Sequence, residues 1–420
     1  MATKFLSIAG ISTVALLSAL YPFVYPKLKT LGYVGRELGE LNNQQCRKIP
    51  SLRSCEDTWL HEDTGYLYAA CGNSIDDRMT WFPCNDHWDA LNRPNRDYLA
   101  VLDTRSTEGD FESRTRKVRL EGFHGLAGEG SFTSHGFGFW TDPTPGSDLM
   151  RVFLVNHRPS LDGLINALIL DETTGANSTI EIFETRVGSD VAQHVRTVAH
   201  PLIRTPNNVE PTGPDTFYVT NDHHIKRGKK KALDAIFPWT EVVHCDTRGC
   251  KVVLDGLTFA NGISRGVAPG DEELYYVSAT ASDKLSILQR QPHDNSVVLQ
   301  DTVKFPYLTD NLYTTKSGGV YIASFPSLHS LSTHFATPRK AGAHSLIAKL
   351  SKNTGGKDAF FGEKYKVEKV FEDDSTSAES PSGITGVAVD ESTGKIYLAS
   401  LLQEFMWECD LYEEPVKMKF

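Results

Sequence analysis

The stretch from Ser134 to Arg186 constrains the fold more tightly than any other part of the chain. It opens with Ser134–Asp142, turns through Pro143–Ser147 and continues as Met150–Asn156. Two further runs, Leu164–Leu170 and Thr179–Thr185, follow after Gly- or Asn-containing turns. Four short runs, alternating or mostly apolar and joined by tight turns, describe a four-stranded antiparallel meander. A sheet of that kind cannot bury both faces alone and needs neighbours like itself.

Such neighbours are written on both sides of it. Strand signals recur at Tyr66–Cys71, Tyr98–Asp103, Phe217–Asn221, Glu241–Cys245, Leu274–Ala279, Val320–Ser324, Ser345–Leu350, Thr385–Val389 and Lys395–Ala399, among others. Turn clusters such as Asp63-Thr64-Gly65, Pro269-Gly270-Asp271 and Asp390–Gly394 separate many of them. The span from Cys46 to Cys409 divides into six units of roughly 60 residues, above the usual spacing of a four-stranded repeat. The expectation is an all-β fold, a six-bladed β-propeller of four-stranded antiparallel blades over residues 31–420, behind an N-terminal hydrophobic helix in residues 1–30. Trp81–Arg96 and Ser327–Gly342 read as insertions into blades, and Glu372–Pro381 as a mobile loop.

Phe5–Val24 is nearly uncharged, with Lys4 before it and Lys27 and Lys29 after it, which suits a signal-anchor or a signal peptide. Pro22 and Pro26 bend or end that helix near its exit. Either reading sends the propeller to the secretory pathway, lumenal or extracellular, with the amino-terminal segment as the contact to a membrane or lipid surface. The sequon Asn177-Ser178-Thr179 is compatible with a glycoprotein. Seven cysteines leave at least one thiol unpaired within the chain. Cys245 and Cys250 bracket a hairpin turn and suit a local disulfide. Cys46 and Cys409 stand at opposite ends of the body, where a bridge would fasten a circular fold. Cys55, Cys71 and Cys84 stay unassigned, no Cys/His spacing resembles a zinc site, and free buried cysteines throughout are the alternative. A net charge of −10, from 53 acidic and 43 basic residues, disfavours nucleic acid as a partner. The basic run Lys226–Lys231 reads as a solvated loop.

Propeller sites form where loops from several blades converge on the channel, so the useful signal is polar residues at blade-like intervals. Glu56-Asp57, Asn207-Asn208, Asn221-Asp222, Asn261-Gly262 and Asp310-Asn311 have that distribution. Carboxylate and amide oxygens meeting from several loops make a hard, oxygen-only set that suits Ca²⁺, although each pair alone is also an ordinary turn cap. His135 opens one strand and His157 ends the next, so antiparallel pairing brings both imidazoles to one rim, as a proton-transfer pair or as hydrogen-bonded rim residues. His223 and His224 read as structural. No serine sits in the strand-turn-helix context of a nucleophile elbow, and no dinucleotide fingerprint or P-loop is present.

These residues together resemble the serum paraoxonase/arylesterase family of calcium-dependent propeller hydrolases. The pieces that carry the resemblance are Cys55–Asp57, Ser134–Gly136 with Thr141-Asp142, Val155–His157, Phe217–His223, Phe259–Ile263, Thr309–Asn311 and Cys409–Leu411. The resemblance implies hydrolysis of lactones or aryl esters. It implies two Ca²⁺ sites: Glu56, Asn207, Asn261, Asp310 and Asn311 at a catalytic ion, and Asp57, Asn208 and the Phe137 carbonyl at a structural one. It implies His135 as general base with His157 as its partner, and a Cys46–Cys409 bridge. Three departures accompany it. Asn208 stands where the family has an aspartate, Ser324-Phe325 replaces a Cys-His pair, and the two insertions fall near loops that shape the mouth. The alternative function is a non-enzymatic, calcium-stabilised propeller acting as a membrane-tethered binding or scaffold module.

Overall fold

A computed structural model describes residues 18–420, apart from 95, 126–129, 131, 163, 166, 171–172, 356–362, 375 and 419. Six sheets, each with four antiparallel strands, follow one another along the chain, and Arg119–Glu121 adds a parallel fifth strand to the second. Their innermost strands are Cys55–His61, Ser134–Thr141, Pro206–Gly213, Ala260–Arg265, Leu308–Thr314 and Gly386–Asp390. Each of these touches the innermost strand of the next sheet, and the last touches the first, so the sheets form a closed six-bladed propeller. Apolar side chains fill the wedges between blades. Tyr68, Phe137, Phe139 and Val152 pack between the first and second blades, and Phe153, Ile182, Val219 and Val243 between the second and third.

The sixth blade is built from both ends of the propeller. Cys46–Ile49 pairs antiparallel with Met406–Asp410 as its outer strand, placing Cys46 opposite Cys409, and a disulfide joins them. Cys245–Cys250 closes the expected hairpin, and Cys55–Cys71 ties the first two strands of the first blade. Cys84 is the free cysteine.

Three expectations are corrected. Leu164–Leu170 is not a strand: Leu164 and Ile165 lie in a turn whose N–H groups donate to Asp162, and Leu164 is 95% exposed. The fourth strand of the second blade is Val191–Val198 instead. The basic run is not wholly solvated either, because Lys229–Ala235 forms a 3₁₀ helix that buries Lys231. Its ammonium donates to the carbonyls of Pro83 (2.9 Å) and Cys84 (3.4 Å) and pairs with Asp86 (3.0 Å), which satisfies the buried charge. Finally, Glu372 and Asp373 complete the strand Tyr365–Asp373 and are buried, so no loop begins at Glu372.

Of the amino-terminal segment, residues 1–17 lie outside the described residues, and 18–30 are helical. Among the described residues no helix is long and apolar enough to cross a membrane. Lys27 holds the end of this helix to the body through the carbonyls of Ala235 (3.3 Å) and Ala281 (2.7 Å).

Candidate functional site

Five of the six innermost strands slip register within their first few residues, and Pro206–Gly213 slips again between Pro211 and Gly213. The register slips between Cys55 and Asp57, Ser134 and Phe137, Pro206 and Val209, Ala260 and Ile263, and Thr309 and Leu312. The residues inside those slips are Glu56, His135-Gly136, Asn207-Asn208, Asn261-Gly262 and Asp310-Asn311. A bulge releases its residues from regular pairing and re-aims their side chains. Here it turns the polar residues toward the channel. Glycines let neighbouring strands close in: a Cβ at Gly136 would lie 2.6 Å from the Asn207 carbonyl oxygen, and one at Gly262 would lie 2.7 Å from Asn311 Cα. Hydroxyls brace the bulged backbone, with Thr385 donating to the Glu56 carbonyl (2.6 Å), Thr220 to that of Asn261 (2.6 Å) and Ser278 to that of Asp310 (2.7 Å).

The result is a cavity of about 230 Å³ with two kinds of wall. Phe82, Phe259, Phe325, Leu328, Leu331 and Phe335 line its sides. Phe82 comes from the first insertion, and Leu328, Leu331 and Phe335 from a helix, Leu328–Ala336, in the second. Both insertions therefore shape the mouth. Glu56, Asn207, Asn261 and Asp310 form the polar floor. Among the described residues, Glu56 Oε2, Asn207 Oδ1 and Asn261 Oδ1 are buried with no hydrogen-bond partner. Buried polar oxygens ordinarily find a donor. Several orphans facing one cavity are the arrangement that a hard cation satisfies.

Electrostatics point the same way. Burial raises the pKa of Glu56 well above the usual carboxylate range, and the charges of Asp57 and Asp310 add to the rise. Burial likewise raises Asp310, with Asp57 and Asp222 adding to it. Like charges held together out of water need a compensating cation or a proton. Asn311 is in the cluster but uses both ends of its amide, donating to Glu56 Oε1 (2.7 Å) and accepting from Asn208 (2.6 Å).

Asp57 and Asn208 are different. The Asp57 carboxylate accepts from the N–H of Thr58 (2.8 Å), the N–H of Phe137 (3.4 Å) and the Asn208 amide (3.2 Å), while Asn208 Oδ1 accepts from Val209 (2.7 Å). Burial still raises Asp57 to about 7. This second group presents donors to one carboxylate rather than orphaned oxygens, and Phe137 meets it through its N–H.

His135 Nδ1 and His157 Nε2 lie 3.0 Å apart, as the antiparallel pairing predicts. His135 Nε2 faces the floor, 3.7 Å from Glu56 Oε1, and His157 Nδ1 bonds Ser178 Oγ at 2.9 Å. Burial pushes both imidazoles down, His157 to about 3, with the Arg78 charge adding to each shift. Arg78 is itself buried. It donates to the carbonyls of Ser54 (3.2 Å) and Ser134 (2.7 Å) and pairs with Asp97 (2.8 Å), so one side chain clamps the entrances to two site strands.

Sequence reasoning missed Arg78, Ser178 and Cys84. Asp222 belonged to a recognised polar pair, whereas Ser178 belonged only to the sequon. Nothing local marked Arg78 or Cys84. His223 and His224 both bond Asp234 (3.1 and 2.7 Å) and are structural as expected.

A family model for arylesterases matches residues 98–379, a span that holds His135, His157, Asn207, Asn208, Asn261, Asp310 and Asn311. Serum paraoxonase/arylesterase 2 of Bos taurus is 30% identical over 200 residues, 47% of this chain and 50% of that protein. The human protein of the same name is 28% identical over 217 residues, 51% of this chain and 54% of that protein. The chain thus spans about half the length of these relatives. Among solved structures, a gluconolactonase from Xanthomonas campestris aligns with a TM-score of 0.45 and 12% identity, covering 89% of this chain and 91% of that one. With a match running from the first blade to the fifth, this chain belongs to the arylesterase family.

Proposed function

We propose that the protein is a calcium-dependent hydrolase of lactones or aryl esters. The observation that carries this reading is the set of orphaned oxygens on Glu56, Asn207 and Asn261, gathered in one cavity beneath a buried histidine pair. Glu56, Asn207, Asn261 and Asp310 would hold the ion, with Asn311 positioning Glu56. Bound there, Ca²⁺ supplies a positive charge that polarises an ester carbonyl and stabilises the oxyanion.

The chain's own residues do the rest. His135 Nε2 faces the floor and takes the proton of an attacking water. Its Nδ1 passes the developing charge to His157, which Ser178 holds in orientation. The low pKa of both rings keeps them neutral throughout the physiological range, so His135 keeps a lone pair with which to accept the proton. The apolar sides exclude water and receive the hydrophobic part of an aryl or alkyl ester.

A structural second ion on Asp57, Asn208 and Phe137 has no comparable support, since Asp57 already accepts three hydrogen bonds. Three disulfides suit the secretory pathway or the extracellular space. The amino-terminal helix, with Leu20, Tyr21, Phe23 and Val24 exposed, is the proposed contact with a lipid surface.

Turnover of a small panel of lactones and aryl esters, with calcium and with chelator, tests the proposal. Hydrolysis that needs calcium and is lost in His135→Gln supports it. Chelator-insensitive turnover would remove the metal from the chemistry. No turnover across the panel would leave the binding-module reading.

A further inference from the structure

Above the oxygen-lined floor stands a second ligand set of opposite chemical character. Cys84 Sγ lies 3.2 Å from His135 Nδ1 and 3.3 Å from His157 Nε2, and the two nitrogens are 3.0 Å apart. Together they form a near-equilateral triangle of one sulfur and two imidazole nitrogens. At a tetrahedral zinc, Zn–N and Zn–S bond lengths put two nitrogens about 3.3 Å apart and a nitrogen and sulfur about 3.6 Å apart. The triangle therefore needs to open by only about 0.3 Å on each side to accept the ion.

The surroundings are those of a supported site. Ser178 holds the far nitrogen of His157, and Glu56 lies beside the far nitrogen of His135. Lys231 and a 3₁₀ turn, Pro83–Asn85, fix the backbone that carries Cys84. Asp222 is buried and lines the same cavity as Cys84 and His135. Cys84 is partly exposed into the cavity, so the set is reached from the same mouth as the floor.

We propose that Cys84, His135 and His157 form a binding site for a thiophilic divalent cation, zinc by ligand type, separate from the oxygen-lined floor. Water from the cavity, which Asp222 also lines, completes the coordination. Binding deprotonates the Cys84 thiol, forming the S–Zn bond and releasing the proton to solvent. A neutral imidazole bound through Nδ1 carries its own proton on Nε2. His135 then has no lone pair facing the floor, so zinc switches off the general base. That last step rests on the hydrolase reading, whereas the site itself does not.

Cobalt(II) added to the calcium-loaded protein reports the site as a thiolate-to-cobalt charge-transfer band that saturates at one equivalent and is displaced by zinc. The band is expected in the wild type and absent in Cys84→Ser. Because that variant changes the cavity, a second measurement uses the unaltered chain: one equivalent of zinc should slow alkylation of Cys84 at least tenfold. No band and unchanged alkylation would overturn the site, as would a band that persists in Cys84→Ser. Hydrolysis should fall over the zinc range that saturates the band. A saturated site with undiminished hydrolysis would uphold the site and remove His135 as the base. Absence of hydrolysis from the start would count against the esterase reading alone.

Discussion

The five blades that bulge at their inner ends and the one that does not divide the molecule's work. Glu56, His135, Asn207, Asn261 and Asp310 all sit where a ladder slips, whereas the strand Gly386–Asp390 pairs with Lys395–Ala399 in unbroken register and supplies none of the candidate ligands. The sixth blade instead carries the Cys46–Cys409 closure. Polar groups enter a propeller's channel at the cost of local pairing, and a blade that holds the ring shut cannot give up that pairing. Substitutions in the five should therefore strike activity first, and substitutions in the sixth should strike stability first.

The largest expected effect is at the floor. Asp310→Ala removes a proposed anionic ligand and should lower kcat/KM for any accepted ester by about 10²–10³, the range for loss of electrostatic stabilisation of an oxyanion. Steady-state kinetics with saturating calcium checks this, and a loss under tenfold would break the assignment of Asp310 to the floor. Next, His135→Gln should reduce kcat by at least about 10², while calcium still raises the melting temperature. Loss of the calcium response in that variant would make His135 a structural residue.

The closing blade should behave in the opposite way. Cys46→Ser with Cys409→Ser removes a crosslink across 363 residues and should cost up to about 6 kcal/mol of stability by the chain-entropy argument. Activity of the folded protein at 25 °C should be unchanged. A parallel fall in kcat would blur the division between the blades. Asn208→Asp is a smaller test. It removes donors to Asp57 and Asn311 and adds another carboxylate beside Glu56, Asp57 and Asp310, so without calcium it should destabilise by about 1–3 kcal/mol. Calcium should recover more of the loss in this variant than it adds to the wild type, as read by thermal melts at graded calcium. An equal calcium response in both chains would show that no ion visits Asp57.

The smallest effect is one of pH. His157 is lowered from 6.5 to about 3 by burial, so the folded ring stays neutral as pH falls through 6.5 while the unfolded ring takes up a proton. Its contribution to stability is thus full above 6.5 and is lost progressively between 6.5 and about 3. The rate profile should be flat from pH 8 to 6, and an inflection near 6.5 would mean an exposed, ordinary imidazole.

How much of this was written in the sequence follows the same division. Tyr66–Cys71, Tyr98–Asp103, Leu274–Ala279 and Lys395–Ala399 were legible to the residue because they lie inside blades, where alternation is undisturbed. Pro206–Gly213 was invisible as a strand, since Pro206, Asn207 and Asn208 imitate a turn, yet that oddity is what marked it as part of the site. Leu164–Leu170 misled for the converse reason: apolar side chains sit on an exposed loop whose backbone is turned by Asp162. Lys231 was hidden by its basic neighbours. Cys84 could not be placed at all, because its meeting with His135 and His157 depends on two strand ends of the second blade and an insertion in the first, not on spacing.

The outer strand of the sixth blade carries a consequence for biosynthesis. Cys46–Ile49 leaves the ribosome long before Met406–Asp410, so five sheets are translated while their eventual neighbour waits without a partner. Through that interval Cys46 remains a loose thiol close in sequence to Cys55, Cys71 and Cys84, in a setting that favours oxidation. Maturation must therefore end with the seal. A nascent chain that oxidises too early stays an open ring with an unpaired edge, ready to join another chain of its own kind.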